Sequence, residues 1–149
     1  MIQPIGRPSK NGRKGDMMDN KKLGNSFERE LCEILFARGF WAHNLAQNRD
    51  GQPADVIAAR YGRTYLIDCK VCSGRGFAMS RMEENQDSAM SLWESCGNNI
   101  GWFAMRLSQN RIYMVSHAIL KKARQEVSYW NEDMICEHGV PIEEWLNAA

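Results

Sequence analysis

Residues Gln52 to Cys72 read QPADVIAARYGRTYLIDCKVC. Two apolar runs are joined by Arg60-Tyr61-Gly62-Arg63, the pattern of two β-strands around a tight turn. Charged residues are set into these runs. Asp55 opens the first, and Asp68 and Lys70 lie two residues apart in the second. Strand side chains alternate between faces, so Asp68 and Lys70 point the same way, roughly 6.5 Å apart along the strand. An acid and a base on an apolar strand are costly if buried without partners, which marks the stretch as a candidate site.

Outward from this stretch the chain alternates helical and strand patterns. From Asn25 to Arg38, Phe27, Leu31, Ile34 and Leu35 form one helical stripe, with Gly39 as its stop. Phe40 to Leu45 reads as a strand, followed by a polar loop from Ala46 to Pro53. The central strands are expected near 54–59 and 64–71, and Ser73-Gly74-Arg75-Gly76 as a flexible loop. A second helix is expected from Arg81 to Cys96, with Met82, Ala89, Met90 and Trp93 as its stripe. Strands follow at Ile100–Leu107 and Arg111–Val115. Ser116 caps a third helix running to about Tyr129, and Pro141 with Glu143 and Glu144 opens a short last one. The order is α-β-β-β-α-β-β-α with a helical tail, an α/β fold. It forms a single domain over residues 23–149.

A chain of 149 residues with 44% hydrophobic and 25% charged residues is an ordinary globular domain. Its net charge of +1 says less than the distribution. Residues 1–22 carry Arg7, Lys10, Arg13, Lys14, Lys21 and Lys22 and no apolar periodicity. They read as a mobile basic arm able to contact nucleic acid, or as a segment preceding a structured start near Met17 or Met18. A second basic group (Arg60, Arg63, Lys70, Arg75 and Arg81) flanks the central stretch, as a polyanionic partner would require. No run approaches the roughly 18–20 apolar residues of a membrane span, and the N-terminus has no signal-peptide core. Five cysteines without a secretory signal point to reduced thiols in the cytoplasm.

Asp55 and Asp68 are thirteen residues apart, the separation that brings neighbouring antiparallel strands side by side. Two converging carboxylates repel unless a cation lies between them. Mg²⁺ takes one or two carboxylates, keeps several waters and accepts phosphate oxygens. The backbone carbonyl of Cys69 is a further candidate ligand. Lys70 would orient or deprotonate a metal-bound water, or neutralise charge developing on phosphorus. That chemistry is phosphodiester hydrolysis. The competing reading of Asp68 and Lys70 is an exposed salt bridge on a solvated sheet face. Glu28 also has two readings, since with Asn25 as N-cap it occupies the N3 position of a capping box.

Pro53-Ala54-Asp55, thirteen residues, then Asp68-Cys69-Lys70, preceded by a helix with Glu28, resembles the PD-(D/E)XK nuclease superfamily and its αβββαβ, restriction-endonuclease-like core. The resemblance is closer to the archaeal-type Holliday junction resolvases and their phage relatives. These begin with K-G-x-x-x-E-R-E-L, where this chain has Leu23-Gly24-Asn25-Ser26-Phe27-Glu28-Arg29-Glu30-Leu31. Gly39-Phe40, Pro53-Ala54-Asp55-Val56-Ile57-Ala58 and Tyr65-Leu66-Ile67-Asp68-Cys69-Lys70 follow in the family's order. The resemblance implies Glu28, Asp55, Asp68 and Lys70 as catalytic residues. It implies a metal held by Asp55, Asp68 and the Cys69 carbonyl, with Glu28 acting through a water. It further implies Mg²⁺ (or Mn²⁺) as cofactor, branched double-stranded DNA as substrate and a homodimer making two symmetric nicks. Candidate DNA contacts are Arg29, Arg49, Arg75, Phe77, Arg81 and Gln86. Asn44 stands where relatives often carry an arginine, for which Arg49 is the candidate substitute. The alternatives are a related nuclease acting on linear, flapped or specific duplex DNA, and an inactive DNA-binding module.

Other signals are discounted. Cys69 and Cys72 form a C-x-x-C, but in a strand they face opposite sides, poor geometry for zinc even with Cys136 and His138 nearby in sequence. His117, after the cap Ser116, reads as structural. The five tryptophans fit a core or a dimer interface better than a base-stacking surface.

Overall fold

A computed structural model describes residues 26–45 and 54–149. Asn25, Arg49 and the basic arm therefore lie outside the described residues. The first helix, α1, spans residues 26–37. Strands β1 (Trp41–Asn44), β2 (Val56–Arg60) and β3 (Arg63–Val71) follow, then the short β4 (Phe77–Ala78) and helix α2 (Glu84–Ser95). The chain continues through β5 (Trp102–Arg106), β6 (Ile112–Ser116), α3 (His117–Glu126), β7 (Tyr129–Trp130), α4 (Glu132–His138), β8 (Val140–Pro141) and α5 (Ile142–Ala148). The expected α-β-β-β-α-β-β-α order and helical tail are present, with four small elements (β4, β7, α4 and β8) added.

Six strands form one mixed sheet in the order β1-β2-β3-β5-β6-β8. All neighbours are antiparallel except β3 and β5, the parallel pair that α2 connects. The β2–β3 hairpin closes on Tyr61 and Gly62, both at positive φ (52° and 75°), the geometry whose twist matches paired strands.

Each face of the sheet buries its own core. On one, Phe27, Leu31 and Leu35 of α1 and Trp145 and Leu146 of α5 pack on Val56, Ala58, Tyr65 and Ile67. On the other, Met90 of α2 and Leu120 of α3 pack on Leu66, Phe103 and Met105. The central strand β3 is covered on both sides, which is why it reads as a nearly continuous apolar run.

Two boundaries differ from expectation. Residues 79–81 form a 3₁₀ turn and α2 begins at Glu84, so Met82 is buried ahead of the helix rather than on it. Helix α3 ends at Glu126, because the next residues pair with β4 instead: Met79 N–H donates to the Ser128 carbonyl at 2.9 Å, and Tyr129–Trp130 become β7. His117 is structural, as expected. It is 2% exposed, with Nε2 2.6 Å from Asp87 and Nδ1 2.8 Å from Glu94, tying α3 to α2. Burial raises the Asp87 carboxyl, but its hydrogen bonds to His117 and Arg124 outweigh that and hold it below the usual carboxylate range.

The loop after β3 is anchored rather than loose. Tyr129 hydroxyl donates to the Arg75 carbonyl at 2.7 Å, and Gly74 N–H to Glu132 at 3.4 Å. Gly76 sits at φ +68°, where a Cβ would meet the Trp130 carbonyl and come within 2.5 Å of the Tyr129 hydroxyl. Gly76→Ala should therefore lower unfolding free energy by at least about 1–3 kcal/mol, read as a reduced urea midpoint.

Candidate functional site

The site lies where β2 and β3 part. Their register pairs Val56 with Ile67, and one further step along it sets Asp55 opposite Asp68. Asp55 N–H still reaches the Ile67 carbonyl at 3.1 Å. Beyond that point the Asp55 carboxylate takes over as acceptor, receiving Cys69 N–H on Oδ2 at 2.7 Å. In an extended strand a residue's N–H and C=O project to the same edge. The Cys69 carbonyl therefore shares the edge on which the Asp55 carboxylate sits.

Asp68 is 2% exposed and Asp55 8% exposed, although both are carboxylates. Lys70 Nζ stands 3.1 Å from Asp68 Oδ2 in a buried ion pair. Oδ2 is closed off from solvent, with that ammonium as its counter-charge. Gln86, in the first turn of α2, braces the pair. Its Nε2 donates to Asp68 Oδ1 at 3.3 Å, and its Oε1 accepts from Lys70 Nζ at 3.1 Å and from Glu83 N–H at 3.2 Å. One amide thereby closes the start of α2 and fixes the lysine.

Glu28 enters from α1 on the other side of the sheet. Phe27, Leu31 and Leu35 seat that helix, and Glu30 pairs with Arg106, whose guanidinium lies 4.7 Å over the Phe27 ring. Burial, then the charge of Asp55 and a hydrogen bond shared with it, push Glu28 from an ordinary 4.5 to about 7, against a lowering hydrogen bond from Asn44. Asp68 is raised from 3.8 to about 8, first by burial and then by Asp55, with the Lys70 charge opposing. Burial and mutual repulsion thus raise the proton affinity of two of the three clustered acids, against which the site sets one lysine.

The donor set fits a hard cation. It consists of buried carboxylate oxygens beside a strand-edge carbonyl. Among the described residues no three His, Cys, Asp or Glu side chains form a closed cage. A Mg²⁺ site that relies on one or two carboxylates, waters and substrate phosphate needs none.

The family model of archaeal Holliday junction resolvases (hjc) matches residues 19–149. The chain belongs to the archaeal Holliday junction resolvase family. It shares the fold of Archaeoglobus fulgidus Hjc, a Holliday junction resolvase from an archaeal hyperthermophile solved at 1.6 Å, with a TM-score of 0.65. The match covers 83% of this chain and 99% of that chain at 20% identity. No match is found among curated protein sequences. Membership makes the chain a nuclease-family protein, and the resemblance drawn from Pro53 to Lys70 is confirmed at the level of family and fold.

Of the candidate residues, Asp55, Asp68, Lys70 and Glu28 converge at this candidate site, and Gln86 joins them through its contacts with Asp68 and Lys70. Arg29 and Arg75 are exposed on the surface. Arg81 is half-buried, with its guanidinium 5.5 Å over the Phe77 ring and Nη1 3.8 Å from Cys72 Sγ. Phe77 is fully buried and presents no ring to a ligand, because β4 folds it under β7 into the core. Arg49 lies outside the described residues. Asn44 emerges as the residue on β1 that holds Glu28. Its sequence signals are its position at the end of a strand leading to the polar loop and its place where relatives of the resembled family often carry an arginine.

Two outcomes follow. Gln86→Ala should slow DNA cleavage about 10- to 100-fold, as for loss of an outer-shell partner, with little change in DNA affinity by gel shift. Glu28 and Asp68 bind protons more tightly folded than unfolded, so the metal-free protein loses stability as pH rises from about 4 towards 7–8. Thermal melts in EDTA should show the midpoint falling from pH 5 to pH 8. Asp68→Asn should flatten that slope.

Proposed function

We propose that this chain is a metal-dependent endodeoxyribonuclease that resolves four-way DNA junctions as a homodimer. The observation that carries the reading is the buried Asp55–Asp68–Lys70 cluster at the open end of β3 in a chain of the resolvase family. Mg²⁺, or Mn²⁺, held by Asp55, Asp68 and the Cys69 carbonyl, with Glu28 acting through water, would activate a water and neutralise phosphate charge.

The protein's own groups supply the rest. An ammonium carries three donors. Asp68 and Gln86 engage two directions of Lys70 Nζ, which leaves the third for the attacking water or a phosphate oxygen. The 12% exposure of the lysine side chain excludes most competing water. Glu28, with its proton affinity near neutrality, is suited to accept or return a proton at the edge of the site. Arg29 follows Glu28 on α1 and Arg75 lies in the loop after β3, both exposed and open to phosphate, and Arg49 and the arm over 1–22 extend the same charge in sequence. Two copies related by a two-fold axis would address the two symmetric strands of a junction.

Among the described residues no helix is long and apolar enough to cross a membrane. All five cysteines are unpaired, which supports work in the reducing cytoplasm.

The test offers labelled four-way junction, flap and linear duplex to the full chain with and without Mg²⁺. Paired symmetric nicks on the junction are expected, lost by at least about 10³-fold in Asp55→Asn and Lys70→Ala and weakening steeply with salt. Cutting of flaps or duplex in preference to junctions would replace this substrate. Full activity in Lys70→Ala would refute the mechanism.

A further inference from the structure

Among the described residues β1 is an edge strand, paired with β2 alone. Register decides which way its side chains point. Ala42 lies opposite Ala58, and Ala58 opposite Tyr65, all three in the core beneath α1 and α5. Trp41 and His43 must therefore project from the other face. On that face His43 lines up with Ile57 and then Leu66, which belongs to the core under α2 and α3. Asp68 and Lys70 follow Leu66 at period two, so they share this face with Trp41 and His43.

The cover provided by α2 over β3 does not extend to β1. Trp41 is 60% exposed, His43 is exposed, and Ile57 and Ala59 between them and β3 are only half-buried. The indole and imidazole rings stack with centroids 6.1 Å apart and planes inclined by 22°. The result is a ring-faced shelf two strands, or about 10 Å, from β3. Asn44, the next residue on β1, turns to the opposite face, where it holds Glu28. Register sets His43 level with Leu66 and Trp41 level with Thr64, two and four residues before Asp68 on their shared face, so the rings lie roughly 12–17 Å from Asp68, a span that a DNA strand with its phosphate in the site can bridge.

We propose that the Trp41–His43 pair is a stacking platform for a nucleobase of the DNA strand flanking the scissile phosphate. The proposal rests on reading the site as a junction nuclease. Stacking on an aromatic ring is indifferent to base identity, since every base has a π-face. That suits selection by shape rather than by sequence. At a branch point continuous stacking is interrupted, so capturing a base there costs less than extracting one from a duplex. The sequence-based expectation that all five tryptophans serve a core or dimer interface thus fails for a core role at Trp41. An interface between copies is the rival that the test must separate.

The experiment uses the full chain in a Lys70→Ala background, so that DNA is bound but not cut. The probes are four-way junctions with 2-aminopurine at each branch-flanking position, beside a linear duplex. Fluorescence should change on binding at one flanking position, and Trp41→Ala should abolish that change. The same substitution should weaken junction binding about 5- to 150-fold, the range for loss of one base–aromatic stack, while Trp41→Phe restores most of it. Junction binding as tight in Trp41→Ala as in its parent, with parent preference for the junction intact, sinks the platform alone. A parent with no preference for the junction sinks the nuclease reading and the platform with it. Light scattering that finds the parent dimeric and Trp41→Ala monomeric would assign the patch to a second copy and overturn the proposal.

Discussion

Where β2 leaves β3, the Asp55 carboxylate receives the backbone N–H of Cys69 at 2.7 Å and so stands in for a strand carbonyl. The rest of the site depends on that substitution. It holds one carboxylate in the plane of the sheet, directly beside the strand that carries Asp68 and Lys70. It also opens the Cys69 carbonyl to the same edge. A charged acceptor of a backbone N–H is a strong and directional tie, which lets a residue at the end of a strand be as well placed as one in its middle.

The price of this arrangement is electrostatic crowding. Asp68 is buried on a strand covered on both faces, and burial combined with Asp55 drives its carboxyl to about 8. The fold offsets the crowding with two positioned groups. Lys70 supplies charge from two residues away, and Gln86 binds both members of the pair while completing the start of α2. One lysine is set against three clustered acids, and Glu28 and Asp68 keep a raised proton affinity. Buried groups left short of positive charge are costly to keep in a stable protein. Their presence is intelligible when the site's function is to gather a cation and a phosphate.

The architecture around the site follows from ordinary packing. Because β3 and β5 are parallel, α2 must cross over one face, and its first turn necessarily arrives near the end of β3 where Asp68 and Lys70 lie. Helix α1, on the opposite face, is clamped by Phe27, Leu31 and Leu35 and by the Glu30–Arg106 pair, so Glu28 reaches the same end from beneath. Two helices on opposite faces thus deliver side chains to one strand terminus, a convergence that no single element provides.

Much of this was legible in the chain itself. Period-two and helical apolar patterns are local, so the α-β-β-β-α-β-β-α order, the stripe of α1 and the shared face of Asp68 and Lys70 could be read directly from spacing. The thirteen-residue separation of the two acids gave their apposition, because a tight hairpin leaves little freedom of register. Other features were decided only by tertiary contact. Phe77 is buried because β4 pairs with β7, fifty residues further on. Helix α3 stops at Glu126 because the residues after it are drawn into that same pairing. The exposure of Trp41 depends on how far α2 extends across the sheet, and the contacts of Gln86 on where α2 begins. Local sequence determines which way a side chain points on its own element. Only the packing of one element on another decides what, if anything, it meets there.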